Sequence, residues 1–503
     1  MNKVTKHAFA FAGVLALGLG AARAQTDSAL VDALVKKGVL SDQEAKEIRA
    51  SEAKAYSATP ASKLALSDHV SQLKLYGDAR FRYEYIDETA QNSAASSAPG
   101  HLGPHLITNR SRYRVRLGAD YTFNENFKAG FELETNSAAD SSNQTFGSQF
   151  GKASINVGLV YLQWKPADWI TLTGGKQRNP LYTTDLVWDP DVNPEGGSEV
   201  LTFNPTDNLS VGLIAGQFDY AENANFNLNP TPSSSVWMFV EQIPVQFNFN
   251  KDTFVKVVPT FTSYMGGGIN IGNDYISSSS GAAATGGGSA VTFASNYATN
   301  DLNIIGAPGE VDWKIGKVPM RFYWDVAMNL DGHDRVQDVY LGNGQTLPNA
   351  GGITAAQVTA TQDANRDLTD NVAWMAGVQA GLNKKKGDWM VKADFRQIGL
   401  GSVDPNINDS DWGESFLNTQ GIRIASSYNF TDFLLGTITY YDVWAYKDNL
   451  MNGSPGQNPA TVPLGGNGGT VGGSTAGTST TGTAALTGIH ASQHIQVDLQ
   501  WKF

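Results

Sequence analysis

Six arginines stand at a spacing of two on neighbouring stretches of this 503-residue chain: Arg80 and Arg82 in LYGDARFRYEY, and Arg110, Arg112, Arg114 and Arg116 in RSRYRVRLGADY. In an extended strand, side chains two apart share a face. Each stretch therefore gathers its guanidinium groups on one side, with Phe81, Tyr83, Tyr113, Val115 and Leu117 on the other. A row of permanently charged forks attracts or guides anions. Carboxylates to oppose it lie in NPLYTTDLVWDPDVNPEGG, residues 179–197, which carries Asp185, Asp189, Asp191 and Glu195. If this connection folds toward the arginines, two opposed rows of charge set up a field across a narrow point, which is how pores select ions without binding them tightly. The other readings of the same acids are a solvated surface loop or a calcium site made by chance spacing.

The elements that would position these residues are strands. From Leu73 onward the hydrophobic period is two. Sixteen strands are expected, at 73–86, 110–123, 126–135, 154–164, 169–177, 197–204, 209–220, 235–249, 253–265, 303–316, 319–329, 372–383, 388–397, 418–430, 433–446 and 491–503. Seven short turns, such as FNENF, WKPADW and NFTDF, alternate with eight long connections rich in Gly, Ser, Thr and Asn. That alternation is what an up-and-down barrel with both ends on one side requires. Most short turns are bracketed by aromatics: Phe123 and Phe127, Trp164 and Trp169, Phe249 and Phe254, Phe430 and Phe433, with Trp313, Trp389, Trp501 and Phe503 at the same level. Such a row reads as the girdle where strands leave hydrocarbon for the headgroups, in preference to a soluble β-domain. The last ten residues, HIQVDLQWKF, alternate strictly and must pair with the first strand to close the sheet.

Alternation then assigns the lumen face. Lys74, Asp78, Arg80, Arg82 and Glu84 of the first strand point inward, with Arg110, Arg112, Arg114, Arg116 and Asp120 of the second and Lys128, Glu132 and Glu134 of the third. In a filled barrel each such ion would need a partner at a cost of several kcal/mol, so the lumen is expected to hold water. The fold class expected is thus all-β, a 16-stranded antiparallel transmembrane up-and-down β-barrel over 64–503, preceded by a short α-helical segment and linker over 25–63. Within that segment, Ser41 and Glu44 form a capping-box signature after Gly38. Residues 1–24, with Lys3 and Lys6 before an apolar run and Ala22-Arg23-Ala24 at its end, read as a secretory signal peptide.

The runs LYGDARFRYEY, RYRVRLGADY and GKQRNPLYTTDLVWDPDVNPEGG, preceded by LVKKGVLSDQEAKEI, resemble the putative porin family of Gram-negative outer membranes. The resemblance covers nearly all of the mature chain and is most specific in WDPDVNPEGG. It implies a 16-stranded diffusion channel, a homotrimer, and N-terminal helices in the periplasm. The final strand ending in Phe503 also resembles the signal that outer-membrane proteins present to the barrel-assembly machinery. The helical preface is similar to that of phosphate-selective porins, but their lysine-rich binding residues find no match here.

Composition narrows the remaining choices. The formal charge is −12 before the leader's three basic residues are removed, which argues against nucleic acid as a partner. There is no cysteine, so a thiol nucleophile or thiolate metal site is ruled out. No G-x-S-x-G elbow, H-E-x-x-H or Walker-type loop occurs in the mature chain, and neither a cofactor nor an enzymatic activity is expected. His101 with His105 and His490 with His494 are spaced by four on a loop or strand, which does not put two imidazoles on one face as a helix would. Three readings stand: a porin passing small hydrophilic solutes and ions through outer-membrane lipid, a substrate-specific anion channel of the phosphate type, and an adhesin built on the long Gly/Ser/Thr loops. Neither the sign of ion selectivity nor the path of loop 179–197 is readable from sequence.

Overall fold

The computed structural model describes residues 40–57, 69–91, 102–136, 138–147, 150–221, 236–266, 302–332, 371–405, 407–447 and 489–503, with isolated positions at 31, 34–37, 67, 277–278 and 291–292. The leader lies outside the described residues. The helical preface is represented by α1 (Asp42–Ser57), whose capping box is formed: the Ser41 amide donates to Glu44 Oε2 at 2.9 Å and the Glu44 amide to Ser41 Oγ at 3.3 Å.

The alternating segments form β1 (Gln72–Gln91), β2 (Leu102–Thr122), β3 (Phe127–Thr135), β4 (Ile155–Ala167), β5 (Ile170–Lys176), β6 (Glu195–Thr206) and β7 (Leu209–Ala221). They continue as β8 (Val236–Gln242 and Val245–Asn250), β9 (Thr253–Val257 and Thr260–Gly266) and β10 (Asn303–Gly306 and Gly309–Ile315). The last six are β11 (Val318–Asn329), β12 (Val372–Gly381), β13 (Trp389–Ile398), β14 (Thr419–Asn429), β15 (Leu434–Ala445) and β16 (Ile489–Lys502). Each pairs antiparallel with the next, and β1 pairs with β16 from Asp78↔Lys502 to Ala90↔Ile489, so the sheet closes into a 16-stranded barrel. Gly77 and Phe503 extend the seam by two backbone hydrogen bonds of 3.0 Å.

All sixteen expected strands are present, but three are broken. β8, β9 and β10 each split at a proline (Pro244, Pro259 and Pro308), because proline has no amide hydrogen to give to the ladder. The carbonyls keep the sheet joined: the Gly212, Ile243 and Val258 amides donate to Pro244, Pro259 and Pro308 at 2.7, 2.9 and 2.9 Å. The first two strands run well past their expected ends, pairing from Gln72↔Thr122 to Gln91↔Leu102.

Outward-facing side chains are apolar and exposed, among them Leu75, Phe81, Val115, Leu117, Val391, Ile424, Val497 and Leu499. The aromatic row by the short turns is continuous enough for rings to touch: Phe127 stacks on Trp164 (5.9 Å) and Trp169 on Phe203 (5.7 Å). On the lumen side the Tyr76 ring of β1 lies flat over Gly118 of β2, where a Cβ would stand 2.2 Å from it. Gly118→Val is accordingly expected to cost about 1–3 kcal/mol, read as a lower melting midpoint of the heat-modifiable folded band. An unchanged midpoint would mean that Tyr76 has an alternative position.

Candidate functional site

The β1–β2 register brings the six arginines together and sets like charges opposite one another, Arg80↔Arg114 and Arg82↔Arg112. Directly opposed like charges destabilise a sheet, so the ladder holds only because acids are interleaved. Asp78 bridges Arg114 (2.8 Å) and Arg116 (2.7 Å). Glu84, itself buried, takes Arg110, Arg112 (3.5 Å) and Arg82 (3.4 Å). From across the seam, Asp498 of β16 grips Arg82 with both oxygens at 2.8 and 3.0 Å. The ladder is therefore not the bare cationic row that alternation alone suggests.

Loop 177–194 crosses the lumen. At its start the Tyr182 amide donates to Gln242 Oε1 of β8 (2.8 Å), and Thr184 Oγ1 donates to Asp325 Oδ2 of β11 (2.6 Å). Its apolar residues Leu181, Leu186, Trp188 and Val192 are buried, Leu186 against β10–β15 and the others against β7 and β8. The three aspartates then diverge. Asp191 reaches the ladder, with Oδ1 3.4 Å from Arg114 Nη1 and 3.5 Å from Arg116 Nη1. Asp185 goes to the opposite wall, to Arg423 of β14 and to Arg396 of β13 at 3.5 Å. Asp189 meets no guanidinium among the described residues: it accepts from the amides of Asp191 (2.8 Å) and Ser410 (2.9 Å). Burial, together with the neighbouring Asp409 and Asp191, pushes the Asp189 carboxyl well above the usual carboxylate range.

Two expected site residues lie elsewhere. Glu195 opens β6 and pairs with Lys176 (2.6 Å), because Gly196 and Gly197 already belong to the ladder with β5. Lys128 sits exposed at the short-turn end of β3, in register with Thr122, away from the arginines.

Two further inward segments escaped the sequence reading. Residues 399–418, between β13 and β14, carry Asp409, Asp411 and Trp412 into the lumen. Arg396, fully buried, binds Asp394 (2.9 Å) and Asp409 (2.7 Å) and lies over the Trp412 ring, 4.7 Å from its centroid. Arg82 of the ladder reaches Asp411 at 3.0 Å. Burial opposes ionisation of Asp411, and the Arg82 guanidinium overcomes it and holds the carboxyl below the usual range. The second segment, 136–143, turns in from β3. Asn143 Oδ1 accepts from Arg80 at 2.6 Å, the Asn143 carbonyl from Arg112 at 3.3 Å, and the Asp140 carbonyl from Ser410 Oγ at 3.3 Å. The Asp189 amide in turn donates to the Ile407 carbonyl at 2.5 Å, so the inward segments are fastened to one another. A signal for the first of them existed: DPNINDSDWGESF, like WDPDVNPEGG, combines several aspartates with proline and a single tryptophan.

Residues 53–267 match the family model described as putative porin. Over that stretch the chain is similar to the putative porin family. Among solved structures, this chain is similar to Salmonella typhi OmpF in complex with daunomycin, at 11% identity over 88% of this chain and 100% of that chain, with a TM-score of 0.42. It is also similar to a mutant of the Rh. blastica porin, at 9% identity over 86% of this chain and 100% of that one, TM-score 0.37. No curated protein matches its sequence.

Proposed function

We propose that this porin forms a water-filled channel in the outer membrane for small hydrophilic solutes and ions, with its constriction where loop 177–194 approaches the arginine ladder, and that it weakly prefers cations. The observation that carries this reading is the contact of Asp191 with Arg114 and Arg116, which joins the inward loop to the arginine ladder inside the lumen. The preference follows from which member faces water in the ion pairs made by the inward loops. Side-chain exposure is 30% for Asp411, 29% for Asp185 and 17% for Asp191, against 5% for Arg82, 6% for Arg423 and 5% for Arg114. Arg116, at 26%, and Arg110 and Arg112, at 18% and 12% against 0% for their partner Glu84, run the other way. Where the loops narrow the lumen, ions would meet the carboxylates of Asp411, Asp185 and Asp191 more than the guanidinium groups they pair with, and the local field rather than total charge governs selectivity.

An anion-specific site is the weaker reading, since every arginine of the ladder already has a carboxylate or amide partner. Secretion through a leader ending at residue 24, a periplasmic position for residues 25–63, trimer formation and recognition of the Phe503 end by the assembly machinery belong to the same proposal; the aromatic girdle and the β1–β16 seam support it. The test is the reversal potential of purified protein in a planar bilayer under a KCl gradient. Stepwise ohmic openings with a small cation-directed potential are expected. Folded, heat-modifiable protein that carries no current would sink the channel reading, and an anion-directed potential would sink the preference.

A further inference from the structure

Behind loop 177–194, between it and the β8–β11 wall, lies a cavity of about 50 Å³ with an unusual lining. Tyr182, Trp188, Met238 and Tyr264 give it aromatic and apolar walls, and two carboxyl groups, Asp325 and Asp404, open onto it. Both acids are almost wholly buried, at 1% and 2% exposure. No lysine, arginine or histidine is among the lining residues. Lys256, whose Nζ stands 4.0 Å from the Tyr182 ring centroid, is outside that set. Tyr264 donates its hydroxyl to Asp404 Oδ2 at 2.8 Å, and Thr184 donates to Asp325 Oδ2 at 2.6 Å. Among the described residues, Asp325 Oδ1 finds no hydrogen-bond donor.

Elsewhere in this lumen, the buried carboxylates of Asp78, Glu84, Asp394 and Asp409 are met by guanidinium groups. A buried carboxylate oxygen left unpaired is costly, and here it faces a space large enough for a few water molecules. The complement of such a site is a cation that can donate a hydrogen bond to Asp325 Oδ1 while its carbon atoms lie against aromatic faces, where a cationic group is also attracted by the ring quadrupole. A hydrated metal ion suits these walls poorly, because apolar carbon lines most of them.

We infer that this cavity is a binding subsite for organic ammonium ions with an apolar body, the ammonium group on Asp325 and Asp404 and the hydrocarbon part between Trp188, Met238 and Tyr264. The space admits the head group and a few carbons, so a larger solute would leave its remainder in the lumen. Occupied in this way, the subsite would retard amines in transit and make the porin discriminate among solutes of equal size.

This inference rests on the channel reading, and the experiment separates the two. Single channels in KCl are titrated with benzylammonium, and with benzyl alcohol as the uncharged analogue of like shape. Each variant's block is normalised to its own unblocked current. Benzylammonium is expected to reduce current saturably, with benzyl alcohol at least about tenfold weaker, and Asp325→Asn should raise the half-blocking concentration about tenfold or more, the loss of one charge-assisted hydrogen bond. Asp404→Asn should act in the same direction. Equal block of wild type and Asp325→Asn, or equal potency of the alcohol, would overturn the subsite while leaving the channel intact. If no current is seen at all, the channel reading has failed, and calorimetry of the detergent-solubilised full chain with benzylammonium decides the subsite alone: binding weakened by Asp325→Asn supports it, and no binding heat rejects it.

Discussion

Arg396→Ala is expected to release both large inward loops from the barrel wall. The guanidinium is fully buried and holds three carboxylates, Asp394 at 2.9 Å, Asp409 at 2.7 Å and Asp185 at 3.5 Å. It also supports the Trp412 indole, which packs with Leu186 of the crossing loop in one apolar cluster. Without it, Asp394, Asp409 and Asp185 would share Arg423 alone. Removing one partner from a buried ionic cluster typically costs about 3–5 kcal/mol, because the remaining charges stay desolvated and uncompensated. Here the loss falls on the attachment of loops 177–194 and 399–418, since the backbone ladders of the barrel do not depend on the side chain. Two readouts follow: new protease cleavage within 399–418 in reconstituted protein, and larger, noisier single-channel conductance. Arg396→Lys should fall between, restoring charge but not the two-pronged geometry. Wild-type cleavage and conductance in Arg396→Ala would show that the loops are held by their apolar contacts alone.

The second large effect is on ion preference. Changing Arg112, Arg114 and Arg116 together to Ser removes three cations and leaves Asp78 and Asp191 without their arginines, while Glu84 keeps Arg82 and Arg110. Asp78 would keep only the Gln500 amide at 2.9 Å. Two unit charges a few ångströms apart in water interact by about 1 kcal/mol, and screening at physiological salt reduces this. At about 0.5 kcal/mol for each lost arginine, the combined change is about 1.5 kcal/mol, or about tenfold in the cation-to-anion permeability ratio. The reversal potential under a KCl gradient should move toward the cation limit by that amount. An unmoved potential in a folded, conducting variant would place the ion path away from the ladder.

What could be read from the sequence was whatever obeys a local period. Sixteen strands, seven tight turns, the aromatic row and the inward direction of Arg80 through Arg116 all follow from residues two apart or from a few turn positions. The sequence also signalled, in its prolines, breaks that only register made visible: Pro244, Pro259 and Pro308 interrupt adjacent strands, and each is recognisable as a residue without an amide donor. Glu195 shows the limit of the same reasoning, since one more turn of the β5–β6 ladder moved it from loop to strand.

Tertiary structure alone decided which loops turn inward and which charges meet. Arg82 and Asp411 are 329 positions apart, and Arg423 and Asp185 are 238 apart. No spacing rule links such residues. A loop has no repeating pattern to fix its direction, so its path is set by the desolvation cost of burying its acids against the ion pairs and apolar contacts waiting on the far wall. Those partners exist only once the barrel has closed and β1, β2, β13 and β14 face a common lumen. For that reason the arginine ladder could be placed from sequence, whereas its neutralisation by Asp78 and Glu84 needed the β1–β2 register and that by Asp191, Asp411 and Asp498 required the closed sheet.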